Sequence, residues 1–192
     1  EDEGTELLED KVKEAVAAAV MSLAESVDLE EQGCYVSPSI TSEDEALKTA
    51  CETMNKYVGA RITYQFGDKS ETLSGDEIQN WLTVNGTSVG INEGKATEYV
   101  KKLAASYDTA YKAKSLKTSY GKTVSITGGS YGYKINQAKE AATLVSLIKN
   151  GEQTSRKPEY SQKGASRTGN DYGNTYVEIN LTAQHLYFYV KG

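Results

Sequence analysis

The sequence predicts an α+β fold, with helices packed on small antiparallel sheets and a β-hairpin at the C-terminal end. Three observations predict it. Apolar residues recur at helical spacing in several separate stretches. Between these stretches, short runs alternate polar and apolar residues with a period of two. Turn signals such as Gly67-Asp68-Lys69, Asn85-Gly86 and Asn150-Gly151 divide the runs.

Residues 6–24 read as an amphipathic helix, with Leu8, Val12, Val16, Val20 and Leu23 on one face. Val27 to Val36 reads as extended, ended by Pro38. Ser42 with Glu45 is a capping-box signature, and the helix it opens carries Leu47, Ala50, Cys51, Met54 and Val58 on one side. Arg61 to Phe66 then alternates as a half-buried strand, and Ser70 to Leu73 can return beside it. Ser74 with Glu77 repeats the capping box before a short helix holding Ile78, Trp81 and Leu82. Val89 and Ile91 make a brief extended piece. Residues 93–107 form a helix whose apolar face is Ala96, Tyr99, Val100, Leu103 and Tyr107.

Two short strand candidates, 116–120 and 123–127, flank Gly121-Lys122. A glycine-rich loop follows at 128–133. It lacks the Gly-Lys-Ser/Thr of a phosphate loop and the three-glycine dinucleotide spacing, so its glycines serve backbone passage. A helix from about 136 to 149 stops at Asn150-Gly151. Residues 152–160 look extended, interrupted at Pro158, and 161–174 are polar and linker-like. Tyr176 to Leu181 and His185 to Val190 read as the closing strands. A helix followed by an extended, Pro-ended segment thus occurs at 6–38 and again at 136–158, a loose internal echo.

Composition removes several function classes. The 192 residues are 38% hydrophobic and 25% charged, ordinary for a globular chain. No apolar run approaches the roughly 18 residues of a membrane span, and no Lys/Arg-led hydrophobic leader opens the chain. The acidic start Glu1-Asp2-Glu3 reads as cut from something longer. His185 is the one histidine, which excludes a multi-histidine zinc site, and two cysteines exclude a zinc ribbon. No metal site, cofactor or catalytic residue is expected. Carboxylate pairs such as Asp76-Glu77 and Glu43-Asp44 stand at helix starts, where they serve caps and the macrodipole.

Charge is unevenly placed: residues 1–55 carry a net of −12 and residues 56–192 a net of +6. The basic middle could meet a polyanion or the acidic front. Nucleic acid is excluded as a partner, because lysines far outnumber arginines, no recognition motif appears and the overall charge is −6. The 14 tyrosines offer flat apolar area with a hydroxyl, suited to strands, polar ligands and interfaces. Cys34 and Cys51 match no metal or redox spacing. They are buried thiols in a reducing compartment, or one disulfide in an oxidising one.

The segment Asp171-Tyr172-Gly173 through Val177-Glu178-Ile179-Asn180-Leu181 to Gln184-His185-Leu186-Tyr187 resembles the opening hairpin of the L,D-transpeptidase catalytic domain. That family's later Ser-His-Gly-Cys motif and its second histidine match nothing in this chain, so no catalytic residue carries over. The middle is similar to the peptidoglycan-binding domain that precedes such catalytic domains in Gram-positive bacteria. The matching pieces are Ile62-Thr63-Tyr64-Gln65-Phe66-Gly67, Leu73 to Ile78 with Trp81-Leu82, Tyr99-Val100 with Leu103-Ala104, Tyr107-Asp108-Thr109, Gly128 to Ile135, and Pro158-Glu159-Tyr160. Tyr133 stands near where the family usually has tryptophan.

The resemblance implies three parts: residues 1–40 as the closing helix and strand of a preceding repeat, 41–167 as the binding-like domain, and 168–192 as a linker with the first hairpin of a truncated catalytic domain. It implies a non-catalytic cell-wall module that positions an L,D-transpeptidase on peptidoglycan. The alternative is a ligand-free spacer or regulatory scaffold contacting its own catalytic domain. Trp81, Tyr131, Tyr133, Arg156 and Lys157 are the expected ligand-binding residues. Peptidoglycan or an anionic wall polymer and the downstream catalytic domain are the expected partners, with any membrane contact through an upstream anchor. An extracellular, wall-facing location would be oxidising, and there a Cys34–Cys51 disulfide is expected.

Overall fold

The structure, a computed structural model, describes residues 6–36 and 44–192. It divides into two compact units, residues 1–48 and 49–192.

The N-terminal unit is built on one helix, α1 (Glu9–Met21). Just before it, Leu7 bridges antiparallel to Tyr35, and the Leu8 amide donates to the Cys34 carbonyl. Val27 to Val36 is not a continuous extended segment, because residues 29–33 form turns. The Asp28 carboxylate accepts from the amides of Glu30 and Glu31, the Cys34 amide returns to the Leu29 carbonyl, and Gly33 takes the left-handed φ of 62°. The side-chain–backbone bonds of Asp28 thus outcompete strand pairing. Asp44 accepts from the Ala46 and Leu47 amides at the next helix start, whereas the expected cap Ser42 lies outside the described residues.

The same bridge pattern recurs inside the second unit. There Ile135 pairs antiparallel with Tyr160, and the Asn136 amide donates to the Glu159 carbonyl, two residues before a helix begins at Gln137. Aligning the two bridges sets Val12, Val16 and Val20 against Glu140, Leu144 and Ile148. The second three are fully buried, whereas Val16 and Val20 are exposed. The echo read from the sequence is therefore a shared local geometry, with the apolar face of α1 uncovered among the described residues of its unit.

The second unit begins within α2 (Glu45–Val58) and centres on a three-stranded sheet. Strand β1 (Arg61–Phe66) pairs antiparallel with β2 (Lys69–Leu73) through the Gly67-Asp68 turn. On its other side β1 pairs in parallel with β8 (Gln153–Arg156). The sequence suggested only antiparallel pairs; a parallel partner needs a long crossover, and that connection is invisible to local pattern. Between lie the one-turn α3 (Gly75–Ile78), a 3₁₀ turn Gln79–Trp81, the hairpin β3 (Leu82–Asn85) and β4 (Ser88–Ile91), and α4 (Glu93–Tyr107). Next come the hairpin β5 (Lys114–Lys117) and β6 (Thr123–Ile126), the short β7 (Lys134–Ile135), α5 (Gln137–Asn150) and β9 (Tyr160–Gln162) paired to β7. The chain ends with β10 (Tyr176–Asn180) and β11 (His185–Tyr189), an antiparallel hairpin.

Alternation puts Ile62, Tyr64 and Phe66 of β1 on one face, against Val100 and Leu103 of α4 and Leu144 and Ile148 of α5. Asn92 and Asn136 cap α4 and α5 through their side chains, and Gly151 closes α5 in the left-handed region at φ 68°. Ser74 caps α3 differently from expectation: its carbonyl, not its hydroxyl, takes the Glu77 and Ile78 amides.

The expected disulfide is not formed. Both cysteines are free. Cys34 is fully buried in the N-terminal unit, whereas Cys51 is exposed on α2. A disulfide needs its two Cβ atoms about 4 Å apart on facing side chains. The Cys34 thiol instead faces the Gln32 carbonyl of its own turn at 4.0 Å, while the Cys51 thiol is left to solvent.

Candidate functional site

The candidate site lies around the segment that joins α4 to β7. Thr109 and Ala110 both donate their amides to the Tyr133 carbonyl, so residues 109–111 and 131–134 run side by side. Gly132 makes this crossing possible. A Cβ there would come within 2.7 Å of the Ala110 nitrogen, and its φ is 137°. Gln162 holds the loop from below by donating to the Ser130 and Gly132 carbonyls.

This crossing displays aromatic rings and a cation. Tyr111 is 66% exposed and adopts a left-handed φ of 63°, a conformation that costs a non-glycine residue about 1–2 kcal/mol. Lys134 Nζ sits 5.4 Å from the centre of its ring. Tyr131 is 48% exposed, and its hydroxyl accepts from the Ala165 amide, which fixes the ring while leaving a face open. Two ring faces and an ammonium can meet the apolar face of a sugar and a carboxylate.

Behind the rim stands a stacked wall. The Arg167 guanidinium lies 4.6 Å from the Tyr133 ring, 5.4 Å from Phe66 and 5.8 Å from Tyr160. Tyr107 stacks on Phe66 with centroids 3.8 Å apart, and its carbonyl accepts from Arg167 Nη2. Asp108 accepts from the Ile135 amide, and burial raises its carboxyl above the usual range. The buried Asp171 accepts from the Thr109 hydroxyl and pairs with Lys114. These contacts tie down the 161–174 stretch that composition marked as linker-like.

The five expected ligand residues are not brought into one cluster. Tyr131 is at the rim, and Tyr133 is half-buried in the Arg167 wall. Lys157 is exposed beside Pro158. Arg156 is committed elsewhere: it pairs with the fully buried Glu140, reaches Glu159, and lies over Tyr64 at 5.9 Å. Trp81 is 3% exposed and stacks obliquely on Tyr99 at 5.6 Å. Sequence reasoning passed over Tyr111 and Lys134. No local pattern distinguishes that tyrosine from thirteen others; only its left-handed backbone and its partner across the crossing do.

The C-terminal hairpin docks on this unit. The Ser119 amide and hydroxyl donate to the Glu178 carboxylate at 3.0 and 2.7 Å, and Ser119 also bonds the Tyr189 hydroxyl. Tyr176 stacks on Tyr189 and meets Tyr172 edge-on. The opposite face, Val177, Ile179, Leu186 and Phe188, is exposed. His185 is exposed near the Tyr187 hydroxyl. Among the described residues, no cluster of metal-ligating side chains occurs, and no helix is long and apolar enough to cross a membrane.

The family model described as "Putative peptidoglycan binding domain" matches residues 40–156, more than half of the chain. The chain belongs to that family of cell-wall modules. Two solved structures are similar to it. One is the Ldtfm–avibactam carbamoyl enzyme, at TM-score 0.61 and 25% identity, covering 76% of this chain and 57% of that one. The other is an Enterococcus faecium L,D-transpeptidase carrying a cysteine-to-serine mutation, at TM-score 0.57 and 25% identity, covering 74% and 57%. The chain thus spans little more than half the length of these enzymes. No curated protein matches at a significant level.

Proposed function

We propose that the chain is a non-catalytic module that binds peptidoglycan and positions an L,D-transpeptidase on it. The family match over 40–156 carries this reading. The exposed Tyr111, Tyr131 and Lys134 supply the contact: rings for sugar faces, the ammonium for a carboxylate of the wall polymer. Lys157 adds charge that favours an anionic surface. Secretion or anchoring to reach the wall belongs to the same proposal.

The divisions expected from the sequence are also proposed. Residues 1–40 are the closing elements of a preceding repeat, which the shared bridge geometry and the open Val16–Val20 face support. Residues 41–167 are the binding domain. Residues 168–192 lead into a catalytic domain, and the exposed Val177, Ile179, Leu186 and Phe188 face is where that domain continues.

A second reading is favoured by the fate of five tyrosines. Tyr64, Tyr99, Tyr107, Tyr133 and Tyr160 pack inward, as in a spacer that contacts only its catalytic domain. Pelleting with purified sacculi separates the two. Under the binding reading the chain pellets, and Tyr111→Ala, Tyr131→Ala and Lys134→Ala each reduce pelleting without changing thermal stability by much. Under the spacer reading no variant differs, because nothing pellets.

A further inference from the structure

A second concave feature lies away from the crossing, between α3 with its 3₁₀ turn and the first half of α4. Glu77, Asn80 and Trp81 form one wall; Lys95, Glu98, Tyr99 and Lys102 form the other. On α4 these four fall at successive turns of one stripe. The groove is half open and holds about 270 Å³, just below the range of drug-sized sites and suited to one or two amino-acid residues. Its floor is the tilted Trp81–Tyr99 pair.

Two observations mark the groove as more than a surface dent. Tyr99 is 7% exposed, and its hydroxyl is buried without a hydrogen-bond partner. Buried donors of that kind are rare in folded proteins and call for a cause. The charge pattern is the other. Lys95 and Glu98 pair with each other at 3.6 Å. Glu77 and Lys102 have no ion-pair partner among the described residues. One free anion and one free cation therefore face the same small space.

We propose that this groove binds the free end of a short peptide that carries both an ammonium and a carboxylate. The ammonium pairs with Glu77, the carboxylate pairs with Lys102, and a carbonyl oxygen accepts from the Tyr99 hydroxyl as the ring shifts outward. The inference deepens the cell-wall reading and rests on it for the source of the peptide, the polymer's peptide part.

Trp81 is the one tryptophan of the chain, so fluorescence excited selectively at the indole, beyond the tyrosine absorption band, reports on the floor of this groove. The probe is the dipeptide alanyl-alanine with both ends free, compared with its N-acetylated, C-amidated form. A saturable fluorescence change is expected for the free dipeptide and none for the blocked one. Glu77→Gln and Lys102→Gln should each weaken it about tenfold, the loss of one charge-assisted hydrogen bond. Tyr99→Phe should weaken binding while leaving the ligand-free protein at least as stable as before, because it removes an unpartnered hydroxyl. No saturable change up to millimolar dipeptide, or equal changes for free and blocked forms, would overturn the proposal. Equal affinity for wild type and the three variants would do the same. If sacculi still pellet the chain in that case, the groove assignment fails and the cell-wall reading stands.

Discussion

The Tyr64 hydroxyl donates to Glu140 Oε1 at 2.6 Å, and both residues are fully buried. The same carboxylate accepts from Arg156 and from the Glu159 amide. One acid on α5 therefore fastens β1, β8 and the turn after Pro158. Burial first, and then the negative charge of Glu140, hold the Tyr64 phenol well above its ordinary range, so it stays a donor.

This knot makes Glu140 the most sensitive polar position in the fold. Glu140→Ala leaves Arg156 without its anion and should cost about 3–5 kcal/mol. Tyr64→Phe removes one bond and should cost about 1–3 kcal/mol. Urea unfolding measures both. Losses near zero would show that the knot does not hold the sheet.

Arg167 should resist its usual replacement. Its planar guanidinium lies against Tyr133, Phe66 and Tyr160 and donates to the Tyr107 carbonyl. Lysine keeps the charge but has no plane to stack. Arg167→Lys should therefore lose about 1–2 kcal/mol of stability. Hydrogen exchange should show the 165–171 segment opening first.

Much of this was legible in the sequence and some was not. The β1 alternation, the α4 and α5 faces and the Gly151 stop all carry local signals, because each depends on residues a few positions apart. The parallel β1–β8 pair, the Tyr64–Glu140 bond and the Arg167–Phe66 contact join residues 92, 76 and 101 positions apart, beyond any periodicity. The stretch 27–36 misled because Val27, Leu29 and Val36 suggest a strand, while Asp28 and Gly33 impose turns at 29–33. Tyr131 stood out because its glycine-rich loop did. Tyr111 and Lys134 gave no comparable sign.

Asp108 sets a pH dependence. Burial raises its folded carboxyl above 3.8, so the folded state holds the proton more tightly than the unfolded chain. Its contribution is favourable at low pH and is lost as pH rises from about 4 through the raised value. Asp108→Asn keeps an oxygen for the Ile135 amide and removes that charge. The variant's stability should fall less than the wild type's over this window. Superimposable pH profiles by thermal melting would contradict the assignment.

Tyr111 should trade stability against binding. Tyr111→Gly relieves a left-handed strain of about 1–2 kcal/mol, offset by the glycine's greater unfolded-state entropy of about 0.4–1 kcal/mol. Stability should hold or rise slightly while sacculus pelleting falls. A marked loss of stability would mean that Tyr111 packs for the fold rather than for a ligand.

The hairpin depends on one acid in the same way. Glu178→Ala removes the acceptor of the Ser119 amide and hydroxyl. Amide exchange in 176–189 should then speed up, while α4 and α5 keep their protection. Unchanged exchange would mean that the tyrosine stack alone docks the hairpin.

The proposed recognition of peptidoglycan by a non-catalytic module is open to a simple binding test. The most direct test is co-sedimentation of the chain with purified sacculi, with and without their anionic polymers, at low and high salt. Pelleting should survive both polymer removal and high salt, since ring–sugar contact is little screened. Pelleting that disappears with either treatment would leave only the basic middle attracting a polyanion and would contradict the claim.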